Sequence, residues 1–95
     1  KGNAEAQYNL GECYDNGDGV PKDEVEGVKW YRKAAEHGNA VAQYNLGLMY
    51  ANGIGVIKNP AQAHAWFNVA GSNGNEDAKK NLAIIEKQMS SETKA

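Results

Sequence analysis

Apolar and polar positions recur along this chain with two periods, one of helix length and one of 36 residues. Ala6, Leu10 and Tyr14 stand at i, i+4 and i+8, which places them on one stripe of an α-helix. Ala42, Leu46 and Tyr50 repeat that stripe 36 positions later. A second kind of stripe follows each: Gly27, Trp30, Tyr31 and Ala34, then Ala63, Trp66, Phe67 and Ala70. When residues 3–38 are set over 39–74, 17 of the 36 positions are identical. Chance would give about two or three, so the chain carries a duplication, and a fixed period of this size marks stacked repeats. Each unit buries its apolar face only against its neighbours, so the central copy, flanked on both sides, should hold the core.

The elements follow from local chemistry. Asn3, Asn39 and Asn75 are candidate N-caps for the first helix of each unit, and Asp23 and Asn59 for the second, with Pro60 suited to the first helical position. Gly17 and Gly19, repeated as Gly53 and Gly55, stop the first helix, and Val20 and Val56 then turn one apolar side chain inward. Gly38 and Gly74 close the second helix just before the next Asn. Gly11 and Gly47 lie inside helices, where glycine costs roughly 0.5–1 kcal/mol against alanine. A repeated cost implies a repeated purpose, the close approach of a partner helix. A third unit begins at Asn75 and keeps Ala78, Asn81 and Leu82, but Ala83 and Glu86 replace the glycine and tyrosine of the other two. The expected organisation is therefore all-α: repeat one at 3–38, repeat two at 39–74, a capping helix at 75–89 and a frayed tail at 90–95.

Composition removes some functions. The formal net charge of −2 offers no concentrated basic face for nucleic acid. No apolar run reaches the length of about 18 residues that a membrane span needs. The single cysteine, Cys13, rules out an internal disulfide. No signal peptide is visible, and the opening at Lys1 is compatible with a leader or further domain having been removed.

Candidate chemistry is sparse. The Gly-x-Gly loops follow helices instead of strands and lack a third glycine, so they do not read as phosphate loops. His37 and His64 occupy non-equivalent repeat positions and, even with Cys13, give no zinc set of three or four ligands. His37 precedes a cap glycine, where a cationic ring suits the helix dipole. Cys13 aligns with Met49, which points to a soft apolar position more than to a nucleophile. Trp30 and Trp66 fall within the packing stripes and read as packing groups rather than a stacking platform. No catalytic residues, metal or cofactor are expected.

The pattern Ala-x-Ala-Gln-Tyr-Asn-Leu-Gly-x-x-Tyr-x-x-Gly-x-Gly-Val, followed by Trp-aromatic-x-x-Ala and Gly-Asn, resembles the Sel-one-like repeat (SLR) family, related to the tetratricopeptide repeats. The likeness spans residues 3–89. It implies an α/α superhelical solenoid of two full helix-turn-helix repeats plus a C-terminal half repeat, right-handed, with first helices on the concave face. It also implies an adaptor or scaffold that holds other proteins, often in bacterial settings. Gly27 departs from the usual alanine of the second helix, and the cysteine pairs of the disulfide-rich members are missing. Tyr8, Glu12, Tyr44 and Leu48 fill the positions where tetratricopeptide relatives grip a terminal carboxylate, so that clamp is not expected.

On this arrangement the exposed stripe of the first helices comprises Glu5, Tyr8, Glu12 and Asp15, then Val41, Tyr44, Leu48 and Ala51, then Asp77, Lys80, Ile84 and Lys87, of which Glu5, Tyr8, Glu12, Asp15, Val41, Tyr44, Leu48, Lys80 and Ile84 are the candidate partner-binding residues. Its middle is apolar and aromatic, its first unit acidic, and its last helix carries lysines. A protein partner, as a peptide or helix, fits such a face. Tyr8 and Tyr44 also read as repeat packing, being identical between units. Val41 and Leu48 do not, because their equivalents Glu5 and Glu12 are charged, so Leu48 is expected to serve as a surface anchor. Two alternatives are a domain that self-assembles into homo-oligomers through its solenoid ends and, in another class, a hydrolase acting on a cell-wall or β-lactam substrate. The hydrolase would need a perturbed titrating pair in a deep pocket.

Overall fold

The computed structural model describes the backbone of residues 2–94 and the side chains of residues 3–87. Five helices follow one another: α1 (Gly2–Asn16), α2 (Glu24–Glu36), α3 (Ala40–Asn52), α4 (Pro60–Ser72) and α5 (Glu76–Lys94). Among the described residues there is no strand. Each helix packs on the one before it, and the body extends 45 × 25 × 16 Å. The helices form two rows, α1, α3 and α5 in one and α2 and α4 in the other. The fold is an all-α superhelical repeat array.

The expected caps hold the joints. Asp23, Asn39, Asn59 and Asn75 accept hydrogen bonds from the backbone N–H groups of Glu26, Ala42, Gln62 and Ala78. Each supplies one of the partners that a helix start lacks. Asn3 differs: it lies inside α1, which begins at Gly2, whereas Asn39 and Asn75 follow the closing turn of a preceding helix. That turn is a left-handed glycine, Gly38 at φ +95° or Gly74 at +96°. The amide of Asn39 reaches back to the Ala34 carbonyl, and that of Asn75 to Ala70. The next helix therefore starts with no linker.

The loops inside each unit are equally alike. Gly17 and Gly19 have φ +77° and +75°, and Gly53 and Gly55 have +69° and +72°. The amides of Asp23 and Asn59 donate to the carbonyls of Tyr14 and Tyr50, both at 2.8 Å, which ties each second helix to the end of its first.

The core divides into two clusters that meet on α3. Val28, Tyr31, Ala34 and Ala35 of α2 bury Ala42, Leu46 and Met49 of α3. Ala63, Phe67 and Ala70 of α4 join Ala78 and Ile85 of α5, with Tyr44, Leu48 and Tyr50 of α3 packed alongside. The central copy contributes to both clusters, and the first unit supplies Val28, Tyr31, Ala34 and Ala35 of the first, so the core is shared rather than held by the central copy alone. Trp30 and Trp66 are half-buried, Trp66 against the first cluster and Trp30 under the Lys33 ammonium at 4.5 Å from the ring centroid.

The glycines inside the helices have a specific partner. A Cβ on Gly11 would lie 2.7 Å from Cδ1 of Tyr31, and one on Gly47 would lie 2.6 Å from Cε1 of Phe67. What approaches each is an aromatic ring from the second helix of the same unit. Gly27 brings the backbones of α1 and α2 together, since its Cβ would sit 3.3 Å from the Gly11 carbonyl.

The stripe of α1 differs from expectation. Leu46 is fully buried, but Leu10 is 39% exposed, and Ala6 is exposed where Ala42 is buried. The reason is position: α2 covers the stripe of α3, and no described helix covers that of α1. The expected frayed tail, 90–95, lies where side chains are not described; as backbone, α5 continues to Lys94.

Gly47→Ala tests the ring-on-glycine contact. Alanine should gain about 1 kcal/mol of helix propensity, while overpacking against Phe67 should cost about 1–3 kcal/mol. We expect a lower melting temperature by circular dichroism, partly restored by Phe67→Leu in the same chain. A rise in melting temperature for Gly47→Ala alone would show that the ring has room.

Candidate protein-interaction surface

The α1–α3–α5 row presents the residues singled out from the sequence, and none of the nine is fully buried. They divide into two groups by what they touch.

The tyrosines serve packing. The Tyr8 ring lies 5.7 Å from that of Tyr31, and the Tyr44 ring 5.9 Å from that of Phe67, both tilted. Such pairs contribute about 0.5–1.5 kcal/mol beyond their burial. The Tyr8 hydroxyl donates to Oε2 of Glu12 at 3.0 Å. Burial first, then the bond and charge of Glu12, raise the Tyr8 pKa, while the Asn45 side chain lowers it. The Tyr44 hydroxyl accepts from Nδ2 of Asn81 at 3.5 Å, which links α3 to α5. Leu48 is half-buried beside the cluster of Phe67, Ala78 and Ile85, so it belongs partly to the core. The expectation of a purely superficial anchor is corrected there: the side chain points partly into the junction with α4 and α5.

Val41 and Ile84 have the opposite character. They are 45% and 56% exposed, large and apolar, Val41 on the same helix as Leu48 and Ile84 on α5. Ile84 aligns with Leu48 and Glu12, and Val41 with Glu5 and Asp77. Repeat packing works with charge at these places, so it does not demand the apolar groups. Glu5 and Lys80 are exposed, and Glu12 and Asp15 are half-buried.

Asp15 sits at the acidic end of the row. Burial first, then the charge of Glu24, raise its pKa from the usual 3.8, with Lys22 opposing. Tyr31 next to it is raised too, by burial first and then by Asp15 and its neighbours.

Residues that the sequence reading passed over join the repeats. Gln43 is 2% exposed; its Nε2 donates to the Ala35 carbonyl at 3.0 Å and its Oε1 accepts from Asn73 at 2.8 Å. Arg32 donates to the Tyr50 hydroxyl and lies 5.6 Å from that ring's centroid. The identity of Gln7 with Gln43, and of Asn9 with Asn45 and Asn81, was the available signal. Polar residues repeated at fixed spacing on a buried stripe must find partners.

The histidines are engaged separately. His37 caps α2 with Nδ1 2.9 Å from Oε1 of Gln7, and Nε2 of His64 is 3.0 Å from Glu86. Among the described residues no group of three or more His, Cys, Asp or Glu side chains could hold a metal ion, and no helix is long and apolar enough to cross a membrane.

The raised Asp15 value yields a pH prediction. A carboxyl whose native pKa lies above its unfolded value contributes stability that is present below the unfolded value and lost as pH rises through the native one. Asp15→Asn should therefore melt above the unsubstituted chain at pH 7, with the gap closing as pH falls below about 4. Melting curves from pH 3 to 8 would show it; a gap that widens on acidification would contradict the assignment.

Known proteins give this geometry its family. The Sel1 repeat family model matches residues 4–39 and 40–75. A Sel1 repeat protein from Oxalobacter formigenes is similar at 48% identity and a TM-score of 0.83, over 84% of this chain and 60% of that one. The protein c5321, a protective antigen of uropathogenic Escherichia coli strains displaying an SLR fold, matches at 42% identity and a TM-score of 0.81, over 84% of this chain and 17% of its own. Helicobacter pylori cysteine rich protein B matches at 34% identity and a TM-score of 0.81, over 83% and 59%. The chain thus spans less than two thirds of each of these three proteins. None of the curated proteins matches by sequence search. Repeats of this kind are commonly protein-interaction modules. With two tandem matches covering most of its length, the chain belongs to the Sel1 repeat family.

Proposed function

We propose that this protein is a non-catalytic interaction module that takes a short peptide or partner helix along the α1–α3–α5 row, the concave side of the superhelix. One observation carries the reading: Val41 and Ile84 stay exposed and apolar at places where the repeat tolerates Glu5, Asp77 and Glu12. Isolated exposed apolar residues are ordinary on proteins. By register Val41 shares the α3 stripe of Tyr44 and Leu48, and Ile84 takes the place of Leu48 on α5, so the reading joins them into one apolar strip.

Charge gives the strip a direction. Glu5, Glu12 and Asp15 lie at the α1 end, and on α5 Lys80 and Lys87 outnumber the one acid of the stripe, Asp77. A partner with a basic segment over α1 and an acidic one over α5 meets opposite charge at both ends, which favours one orientation over the other. Tyr8 and Tyr44 contribute the exposed parts of rings already fixed by Tyr31 and Phe67. A ring held in place beforehand loses little freedom on binding.

Random peptides on a display library, selected against the intact chain, provide the test. The enriched sequences should carry an apolar stripe with basic residues at one end and acidic residues at the other. Val41→Glu and Ile84→Glu should each weaken those peptides at least about tenfold, which is 1.4 kcal/mol. Both side chains are exposed, so melting should stay within about 2 °C of the unsubstituted chain. Leu48→Glu should lower binding and melting together, because that side chain also touches the core. Selected peptides that bind the Val41→Glu and Ile84→Glu variants undiminished would place the interaction elsewhere.

A further inference from the structure

Tyr8 and Tyr44 are the same residue at the same place of two units, yet their hydroxyls are occupied differently. They stand 36 positions apart, and each ring leans on the aromatic of its own second helix, Tyr31 or Phe67. A phenolic hydroxyl has one proton to give and lone pairs to receive with. At Tyr8 the proton goes to Oε2 of Glu12 at 3.0 Å, one turn along α1. At Tyr44 the residue one turn along is Leu48, which has nothing to accept with.

The receiving side is alike in both units. Nδ2 of Asn81 donates to the Tyr44 oxygen at 3.5 Å. Asn45 stands 36 positions before Asn81 and acts on the Tyr8 hydroxyl in the same sense, lowering its pKa. What distinguishes the two units is therefore the proton. Among the described residues the Tyr44 proton has no acceptor, and Tyr44 is half-buried, so solvent is the partner that remains.

A bound partner changes that balance. Val41, Tyr44 and Leu48 stand at i, i+3 and i+7 on one stripe of α3, so whatever covers Val41 and Leu48 also covers the Tyr44 hydroxyl. A donor covered without an acceptor loses its water and gains nothing, which lowers affinity by about tenfold or more. Tyr8 escapes this penalty, because Glu12 supplies the acceptor from within the chain.

On the reading that this strip takes a peptide or helix, we propose that the Tyr44 hydroxyl is its polar specificity determinant, donating to one side-chain oxygen of the partner, an amide, hydroxyl or carboxylate, set among apolar groups on Val41, Leu48 and Ile84. The first unit offers no such donor at this place: the Tyr8 proton is held, and Glu12 and Asp15 present carboxylate oxygens. The two units thus ask for opposite hydrogen-bonding groups, which adds a second directional signal to the charge. A helix that would cover the strip with hydrocarbon alone is disfavoured by the donor it strands.

The test uses the peptides enriched from a random display library against the intact chain. Tyr44→Phe keeps the ring and removes the donor; it should weaken those peptides by about tenfold, more than Tyr8→Phe does. Alanine at one polar position of the peptide should reproduce the loss, and the two losses should not add when combined. Selection repeated against the Tyr44→Phe chain should enrich peptides with an apolar residue at that position. These should bind the unsubstituted chain more weakly than the variant, an inversion that a merely structural hydroxyl would not produce. Asn81→Ala removes the link to α5 but keeps the hydroxyl, and should leave binding within about twofold. Peptides weakened by Val41→Glu and Ile84→Glu that bind Tyr44→Phe as tightly as the unsubstituted chain would overturn this inference and leave the strip standing. So would a Tyr44→Phe loss that no alanine in the peptide reproduces, or an Asn81→Ala loss of equal size, since the hydroxyl would then act by joining α3 to α5. An empty selection, or peptides indifferent to Val41→Glu and Ile84→Glu, would overturn the strip and this inference together.

Discussion

A ring resting on a glycine is the contact on which each repeat depends. Tyr31 on Gly11 and Phe67 on Gly47 bring the two helices of a unit closer than any side chain at the glycine would allow. Everything else in the unit is adjusted to that distance. Gly27 lets the backbones of α1 and α2 converge, and the second ring, Tyr8 or Tyr44, leans on the first from the side. A chain with so few large apolar residues gains from such economy, because a single aromatic buries much area while ordering few bonds. Phe67 and Leu46 are the largest side chains buried completely.

Much of this was readable in the sequence because the duplication made it so. Caps, loop glycines and packing stripes are local signals, and a second copy at 36 residues confirmed each of them. The purpose of Gly11 and Gly47 was legible as close approach, but not the identity of the approaching group, since the spacing between two helices is set by packing far along the chain. Leu10 was the clearest misreading. Its residue type and period match Leu46 in every respect, and only the presence of a neighbouring helix distinguishes buried from exposed. Leu48 was ambiguous for the related reason that a first helix in an array has two neighbours, so a stripe drawn as solvent-facing can turn its edge into the next junction. The polar bridges of Gln43 and Arg32 were repeated or visible as residues but silent as contacts, because their partners, Ala35 and Asn73 for Gln43 and Tyr50 for Arg32, lie on other helices.

The surface shows how an array reconciles repetition with individuality. Positions that face a glycine or a neighbouring helix are held nearly constant between units, while the one equivalent place of Glu5, Val41 and Asp77 is acidic twice and apolar once. Such freedom exists only where packing makes no demand. The acidic first unit, the apolar middle and the lysines of α5 thus form a linear sequence of environments written across three helices, each helix contributing one part.

Gln43 has a mechanical meaning as well. Its amide spans from the end of α2 to the cap of α4, 3.0 Å on one side and 2.8 Å on the other. The separation of those two helix ends is therefore fixed by the width of one side chain, whereas the opposite edge, where the Gly55 loop rests on Glu24, is held by contact alone. The Gln43 amide is thus the seam that keeps the repeats in step along this edge.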